Sequence, residues 1–381
     1  MQIASLQEPR SAYIHVPFCA HRCGYCNFTL ISGRDDLIGD YLRALELELQ
    51  QLGNPHEVDT IFFGGGTPTH LSDEQTDRLF TIVRQWFPPA PGCEWSVEAN
   101  PLDLTETRIQ LLNDLGVNRL SIGGQSFAAS KLQILERDHS PQDLTIALQR
   151  ALGSIGSVSN DLIFGVPNET LEQWEQDLRQ TIELQPHHVS TYGLTFEQGT
   201  SFWTRRERGG LQSLDEELER QMYEAAIDTL TAAGYEHYEV SNFAKPDHRC
   251  RHNEAYWAGN SYFAAGPGAA RYVGGRREMN HRSTTTWLKR VLAGESPVAD
   301  SETLNPEDRA REMLVFGLRR IAGVHRADFA ARSGFEVDSL AGDSLKKFID
   351  QNLLTDDGTQ VRLTRTGLMV SDSIWPHFLH Q

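Results

Sequence analysis

Three cysteines stand close together near the beginning of the chain, at Cys19, Cys23 and Cys26, in the spacing C-x3-C-x2-C. Thiolates are preferred ligands of iron–sulfur clusters and of zinc. Because three thiolates leave one iron of a four-iron cluster without a protein ligand, this spacing predicts a cluster whose fourth iron takes an exchangeable small molecule. A zinc ion completed by His15 or His21 is the alternative that the residue types leave open.

The other two cysteines, Cys93 and Cys250, have no ligand spacing to the first three, and we interpret them as ordinary thiols. Five cysteines in 381 residues, an odd number without a recognisable secretion signal, argue against a disulfide framework. The cysteine content therefore predicts a protein of a reducing compartment, and we expect it in the cytoplasm.

The overall composition predicts a soluble globular protein. Hydrophobic residues make up 39% and charged residues 23% of the chain, and no apolar run approaches the roughly 18 residues that span a bilayer. The balance of 35 basic against 52 acidic residues, a net charge of −17, argues against a nucleic-acid partner. The length is more than one compact core needs and predicts two domains.

The apolar pattern alternates between strands and helices along the first 233 residues. Strands are predicted at 11–17, 58–63, 94–99, 118–122, 158–164 and 188–194, with helices at 36–52, 105–115, 171–184 and 215–233. Six such units predict an α/β fold with a parallel sheet, either open or closed into a partial (β/α)6 barrel. Ligands bind at the carboxyl ends of such strands, and the cysteine loop directly follows the first one.

A glycine-rich loop, Gly64-Gly65-Gly66-Thr67-Pro68, follows the second predicted strand. Three glycines let a ligand approach main-chain N–H and C=O groups closely. A side chain introduced at Gly66 is therefore expected to intrude on a ligand and to leave a cluster in place. The loop is expected to lie beside the cysteine loop, although such turns are also common as plain connections.

Taken together, these motifs resemble the radical S-adenosylmethionine (SAM) superfamily, in the branch related to oxygen-independent coproporphyrinogen III oxidase. The resemblance covers nearly the whole chain. Its further motifs are VEANP at 97–101, SIGGQSF at 121–127, DLIFGVP at 161–167, EVSNFA at 239–244 and GPGA at 266–269. Two places depart from the family, which commonly has valine where this chain has Gly124, and histidine and serine where it has Ala270 and Arg271.

The resemblance implies a [4Fe-4S] cluster held by Cys19, Cys23 and Cys26, with SAM on its open iron. It also assigns the parts of SAM to particular residues. The methionine amino end falls to Gly65, Gly66 and Thr67, the charged end to Glu98, the carboxylate and sugar to Gln125 and Arg137, the ribose hydroxyls to Asp161, and the adenine to the backbone of Tyr13 and Tyr25.

A second set of residues points within this branch to relatives that bind haem. The run from His252 through Asn253 to Tyr256 and Trp257 matches their HNxxYW pattern. Its imidazole is a candidate ligand for haem iron, and its two aromatic rings offer flat apolar surface to a porphyrin. From the residues alone, a packed aromatic turn with a surface histidine stays open, and nearby Cys250 and His248 are further candidates for the axial ligand.

Two departures from the oxidase favour a haem chaperone. The oxidase has a further cysteine where this chain has Phe28, and a longer segment before its cysteine loop than the 18 residues found here. We therefore expect a haem carrier that passes haem to an acceptor protein. The decarboxylating oxidase and another radical enzyme remain alternative functions. A homodimer and a transient contact with a membrane protein also stay open.

The character of the sequence changes near Leu304. Helices are predicted at 306–319, 326–332 and 344–352, a strand at 360–363, and a last helix from there to about Trp375. This order resembles a winged-helix unit, for which the acidic total opposes DNA binding. We predict a radical SAM core over residues 1–300, with the cluster, SAM and haem motifs, and a smaller α+β domain over 301–381.

Overall fold

The structure, a computed structural model, describes residues 8–379, so the ends of the predicted domains at 1–7 and 380–381 lie outside it. Its centre is a sheet in which six strands run parallel in chain order, as the sequence predicts. They are β1 (Ser11–Val16), β2 (Val58–Gly65), β3 (Pro89–Ala99), β4 (Arg119–Gln125), β5 (Ser157–Phe164) and β6 (His188–Gly193). The largest difference is at β3, which begins at Pro89, before the residues that the apolar pattern marks.

Helices carry the chain from each parallel strand to the next and cover the sheet. They are α1 (Ile38–Gln50), α2 (Asp73–Trp86), α3 (Glu106–Asp114), α4 (Ala129–Ile134), α5 (Pro141–Leu152) and α6 (Leu171–Leu184), followed after β6 by α7 (Ser201–Glu207) and α8 (Glu216–Ala232). Ser72, Ser140 and Thr170 begin α2, α5 and α6 with capping boxes. Because a capping box satisfies the first backbone N–H groups, these helices start at fixed points after the loops that follow the strands.

Three shorter strands extend the sheet at its two edges: β7 (Glu236–Glu239), β8 (Asn242–Ala244) and β9 (Phe263–Ala265). Within residues 8–379 the order is β9-β1-β2-β3-β4-β5-β6-β8-β7. β9 is parallel to β1, whereas β8 is antiparallel to β6. The sequence analysis misses these strands because three or four residues are too few to show an alternating pattern.

The region between β7 and the C-terminal segment contributes two helices and a small antiparallel sheet. Its elements are α9 (Arg251–Trp257), β10 (Ala270–Val273), β11 (Arg276–Asn280), α10 (Thr284–Leu292) and β12 (Val298–Thr303). A buried carboxylate on α1, that of Glu48, accepts hydrogen bonds from Gly266 N, Asn280 Nδ2 and Trp287 Nε1. Since Gly266 N and Trp287 Nε1 would otherwise be buried without an acceptor, Glu48 fixes the GPGA loop and α10 against the core.

The C-terminal segment has a hydrophobic core of its own, which includes Leu314, Val337 and Phe378. Its elements are α11 (Pro306–Arg319), β13 (Val324–His325), α12 (Arg326–Ser333), α13 (Val337–Asp350), β14 (Leu354–Asp356), β15 (Gln360–Leu363), α14 (Arg365–Met369) and α15 (Ser371–Ile374). The predicted strand is therefore the centre of a three-stranded sheet, β13-β15-β14. Backbone hydrogen bonds from Val240 N to Arg319 O and from Ile321 N to Tyr238 O join this segment to β7.

Large aromatic side chains fill the main core between the sheet and its helices. Trp95, Trp174 and Trp287 are each buried to 2% exposure or less. None of the helices in the part of the chain that is described has the length and apolar character needed to cross a membrane.

Candidate functional site

A cavity of about 1540 Å³ opens at the carboxyl ends of the parallel strands. Pockets for single small molecules usually measure about 300–1,000 Å³, so this cavity has room for more than one ligand. It collects every residue that the sequence analysis assigned to the site except Trp257. The lining includes Cys19, Cys23, Cys26, Tyr13, Tyr25, Gly65, Gly66, Thr67, Glu98, Gln125, Arg137, Asp161, His252, Asn253 and Tyr256.

The cysteine loop is held at both of its ends. Phe18–Cys19 pairs in parallel with Ile31–Ser32, and Ile31 N donates to Pro17 O at 2.7 Å. At the tip of the loop, Phe202 N on α7 donates to Gly24 O at 2.9 Å. The thiols are therefore presented by a closed loop that packs on a helix from the far side of the sheet.

The three thiols of this loop are free, and they differ in exposure. Cys19 is buried, with its Sγ 3.1 Å from Thr67 Oγ1, whereas Cys23 and Cys26 are half-buried. Burial raises the pKa of Cys19 to about 12 and also raises that of Cys26. Cys19 and Cys26 therefore stay protonated until a metal displaces the proton, as expected of ligands that are loaded after folding.

The spacing of the thiols bears on the kind of metal they suit. In a zinc site each thiolate lies about 2.3 Å from the ion. In the described residues, no group of three or more His, Cys, Asp or Glu side chains is gathered to hold one ion in this way. A four-iron cluster is wider than a single ion and takes its thiolates from different irons, so the donor set fits a cluster better than zinc.

The glycine-rich loop after β2 has already used its N–H groups. Gly65 N donates to Glu98 Oε2 at 2.9 Å, Gly66 N to Val16 O at 2.8 Å, and Thr67 N to Phe18 O at 2.7 Å. What the loop and Glu98 can offer a ligand is therefore oxygen acceptors. Such a site suits an ammonium group and agrees with the methionine amino end that the resemblance places here.

Glu98 lies in the cavity wall and is the last residue but one of strand β3. Its burial raises its pKa to about 7, with the negative charge of Asp161 adding to the effect. A cationic ligand beside this carboxylate would favour its ionised form. The carboxylate is thus placed to respond to an amino group that binds next to the thiols.

Arg137 stands on the other side of the thiols. Its Nη2 donates to Gly123 O at 3.0 Å, and its Nη1 lies 3.6 Å from Cys23 Sγ. Its Nε is buried and has no hydrogen-bond partner. A buried donor without an acceptor is uncommon, and here it points to a ligand that brings a carboxylate or another anion.

Gln125, at the end of β4, has a left-handed backbone with φ +62. The turn after it is held by Asp177 on α6, whose Oδ1 accepts from Phe127 N at 2.7 Å and whose carboxylate also accepts from Ser126 Oγ. Lys131 bridges Asp177 and Glu169, and all three side chains are buried. The sequence analysis missed this cluster, because its three residues lie up to 46 positions apart and no local pattern joins them.

Asp161 lies in the middle of β5, as the predicted strand over residues 158–164 implies. Its carboxylate accepts from Ser121 Oγ at 2.7 Å and from Ser159 Oγ at 2.8 Å, and burial raises its pKa. Tyr13 stacks on Phe62, and its hydroxyl is hydrogen-bonded to His15 Nδ1. Because the Tyr13 side chain is already packed, its backbone is the part that could contact a ligand, which is the contact that the resemblance implies.

The departure at Gly124 has a steric counterpart. A Cβ at this position would lie 2.4 Å from Asn160 Oδ1 and 2.7 Å from Leu144. Valine does not fit there without movement of Asn160, so Gly124 and Asn160 form a matched pair in this chain.

The HNxxYW run forms helix α9, and the alternative of a turn with a surface histidine is wrong. His252 is 1% exposed, with its Nδ1 hydrogen-bonded to Thr60 Oγ1 at 2.8 Å and its Nε2 to the Tyr256 hydroxyl at 3.0 Å. Burial lowers its pKa to about 3, so the ring is neutral. Glu94 accepts from the N–H groups of Arg251 and His252 and fixes the start of the helix.

The other residues of this motif and its neighbours separate into two groups. Asn253, Tyr256 and the buried Cys250 line the cavity. Trp257 does not, and its ring lies beneath the guanidinium of Arg319 at 4.5 Å. His248 stacks on His187 at 4.3 Å, outside the cavity lining. Of the further axial candidates, the structure therefore brings Cys250 to the cavity and His248 away from it.

The mouth of the cavity is apolar. Seven large hydrophobic side chains in residues 8–379 are exposed, and five of them line this cavity: Phe28, Leu102, Tyr192, Met279 and Val370. Phe28, which takes the place of the oxidase's additional cysteine, is the most exposed of them at 61%. A cluster of exposed apolar side chains around one opening indicates a binding site for an apolar ligand or partner.

Gly66→Val is expected to weaken SAM binding by at least about tenfold and to impair cluster loading as well. The Cβ would lie 2.7 Å from Phe18 O and 2.8 Å from the carbonyl carbon of Pro17. The expectation that it would meet only a ligand is wrong, because this backbone leads directly into Cys19. Calorimetric titration with SAM and the iron content after anaerobic reconstitution measure the two effects.

Gly39→Val is the matched control, since a Cβ at Gly39 on α1 meets nothing within 4 Å. Unchanged SAM affinity and iron content in the Gly66 variant would contradict the close approach of these two loops.

Comparison with known protein families matches two parts of the chain. Residues 13–181 match the radical SAM superfamily, and residues 304–370 match the HemN C-terminal domain. The first match contains the cysteine loop, the glycine-rich loop and the turn at Gln125. The second begins just before α11.

Curated relatives match over nearly their whole length. The chain is 35% identical to the heme chaperone HemW of Bacillus subtilis, over 97% of this chain and 99% of that protein, and 34% identical to the heme chaperone HemW of Escherichia coli, over 97% and 98%. Among solved structures, coproporphyrinogen III oxidase (HemN) of Escherichia coli superposes with a TM-score of 0.86 at 22% identity, over 98% of this chain and 90% of that one. The fold is therefore that of a radical SAM protein, as the sequence predicts.

Proposed function

The chain belongs to the HemW family of radical SAM proteins, and from this premise we propose that it is a haem chaperone that holds haem in its cavity and passes it to an acceptor protein. The observation that carries the proposal is the cavity itself. One continuous space is lined by three free thiols, by His252 and by an apolar mouth. It thus offers both a cluster site and an opening for a flat apolar macrocycle.

The residues at the inner part of the cavity fit a [4Fe-4S] cluster with SAM. Cys19, Cys23 and Cys26 would hold the cluster, which when bound would supply an open iron for SAM and a source of single electrons. Glu98 and the loop at Gly66 present acceptors to an amino group, and Arg137 presents a donor to a carboxylate. Together these groups would orient the methionine end of SAM, which carries a positive amino group and a negative carboxylate.

His252 has the properties of a haem ligand, but its Nε2 is hydrogen-bonded within the protein. Its pKa of about 3 keeps the imidazole neutral, which is the form that binds iron. Thr60 fixes the ring through Nδ1, in the way that an outer partner orients a metal-binding histidine. Its Nε2 is engaged by Tyr256, so that hydroxyl must move before the nitrogen can reach iron.

Haem titration of variants tests this role. His252→Ala is expected to shift the Soret band and to lower haem affinity by about tenfold. Tyr256→Phe is expected to retain or increase the affinity, because it frees Nε2. His188→Ala is the matched control, since His188 is equally buried in the cavity wall between Ser159 Oγ and the Tyr238 hydroxyl.

Two outcomes would contradict the proposal at different points. An unchanged spectrum and affinity in the His252 variant would move the axial ligand elsewhere. Protoporphyrinogen IX formed from coproporphyrinogen III by the reconstituted protein, with reductant and SAM, would make the protein an oxidase despite Phe28. Coproporphyrinogen recovered unchanged by a protein with an intact cluster is the expected result.

A further inference from the structure

Four arginines line the cavity, and three of them are already engaged by protein acceptors. Arg119 donates to Ser157 Oγ and His248 O, Arg137 to Gly123 O, and Arg282 to Asn27 O. The fourth is Arg319, the last residue of α11 in the C-terminal segment. Its situation differs from that of the other three.

The guanidinium of Arg319 donates no hydrogen bond to any residue that the structure describes, and its Nε is buried without a partner. Arg319 pairs electrostatically with the buried Glu239, whose Oε2 lies 4.0 Å from Arg319 Nη2, which is too far for a hydrogen bond. The other oxygen of Glu239 accepts from Ser241 N and from Asn242. A guanidinium has five N–H donors in a planar fork, so Arg319 has most of its binding capacity unused.

Arg319 is nevertheless held in place. Its guanidinium carbon lies 4.5 Å above the ring of Trp257, a distance typical of a cation–π contact. Trp257 in turn packs near Phe316 on α11, with ring centroids 6.3 Å apart. The tryptophan of the HNxxYW run, which lies outside the cavity lining, is thus the platform on which a cavity arginine rests.

Arg319 is surrounded by both apolar and polar side chains, and this combination suits the edge of a macrocycle that carries carboxylates. Leu368 and Val370, from α14 and the residue after it, line the same cavity, and Val370 is part of the apolar mouth. Asp372 and Tyr223 also line the cavity. The Asp372 carboxylate would repel a second anion, and the Tyr223 hydroxyl already donates its proton to Val240 O. Apolar side chains and a free guanidinium therefore meet at the boundary between the two parts of the chain.

We propose that Arg319 binds a propionate carboxylate of the porphyrin that the cavity carries, with Trp257 as its positioning residue. This inference rests on the proposed function and names a contact within it. A carboxylate accepts two parallel hydrogen bonds from a guanidinium fork, which is the pairing for which arginine is best suited. It places the C-terminal segment in direct contact with the ligand.

The test compares haem with haem dimethyl ester, in which both propionates are esterified, by titration in the same detergent buffer. Wild-type protein is expected to bind haem about tenfold more tightly than the ester, the ratio that one charge-assisted hydrogen-bond pair supplies. Arg319→Gln is expected to lose this ratio by weakening haem alone. Arg319→Lys is expected to retain part of it, and Trp257→Leu to lower it without changing ester affinity.

Arg282→Gln is the matched control, because its guanidinium also lines the cavity but is engaged by Asn27. It is expected to keep the ratio. Equal binding of haem and ester by wild-type protein would overturn the Arg319 contact while leaving the proposed function intact, as would loss of the ratio in Arg282→Gln alone. Failure of wild-type protein to bind either compound would instead overturn the proposed function, and the contact with it.

Discussion

Cys23→Ala is expected to remove almost all cluster iron from the anaerobically reconstituted protein, together with its brown colour. The three thiols lie on one closed loop, whereas Cys250, the other cysteine that lines the cavity, has its thiol directed to Glu94. With two thiolates the cluster would have two open irons and would be lost to solvent during purification. Iron content per protein and the visible absorption spectrum measure this effect.

Cys93→Ala is the control for this experiment. Cys93 is also a free, buried thiol, but it lies outside the cavity lining. Its replacement is expected to leave the iron content unchanged. Equal iron in the Cys23 variant and in wild-type protein would refute the cluster assignment, and zinc in place of iron would restore the alternative that the residue types allow.

Asp177→Ala is expected to lower the free energy of unfolding by about 2–4 kcal/mol, because it leaves the buried donors of Ser126 and Phe127 without their acceptor and removes one of the two carboxylates beside Lys131. Lys131 is 4% exposed, and its Nζ lies 3.0 Å from Asp177 Oδ2. Ser126 and Phe127 define the turn after Gln125. We therefore expect SAM affinity to fall even at temperatures at which the variant is folded.

Denaturant unfolding followed by far-ultraviolet circular dichroism measures the stability, and calorimetric titration measures SAM affinity. Glu175→Ala is the matched control on the same helix, where the carboxylate forms a surface pair with Arg179 at 3.4 Å. Such an i,i+4 pair contributes only about 0.3–0.5 kcal/mol. A loss of similar size in both variants would show that the buried cluster does not hold the turn.

The cavity takes residues from the regions of both hydrophobic cores. The cluster residues lie on loops of the parallel sheet, whereas Arg319, Leu368 and Val370 come from the C-terminal segment. Both parts of the chain are therefore needed to form the lining of this cavity.

Much of the candidate site follows from local patterns. The cysteine spacing and the glycine-rich loop each occupy fewer than ten residues and directly follow strands that the apolar periodicity marks. Because parallel strands in sequential order place their carboxyl ends at one edge, neighbouring loops must meet there. This is why Cys19 and Thr67 could be expected to lie together, and they do, at 3.1 Å.

Other features depend on residues far apart in the chain, and no local pattern marks them. Thr60 and His252 are 192 positions apart, and only the packing of α9 against β2 makes the histidine a buried, neutral group. The same packing turns Trp257 away from the cavity and places it under Arg319. From the sequence, the tryptophan was expected to face a porphyrin along with Tyr256.

By itself, then, the sequence determined the six parallel strands, the position of the cysteine loop and the family, since these rest on short-range periodicity and on motifs whose residues are neighbours. Only the tertiary structure decided which polar groups are satisfied and which are left free, as in Arg137 Nε and the guanidinium of Arg319. The reason is physical: a hydrogen bond or an ion pair depends on distances of about 3 Å between atoms, and those distances are set by long-range packing.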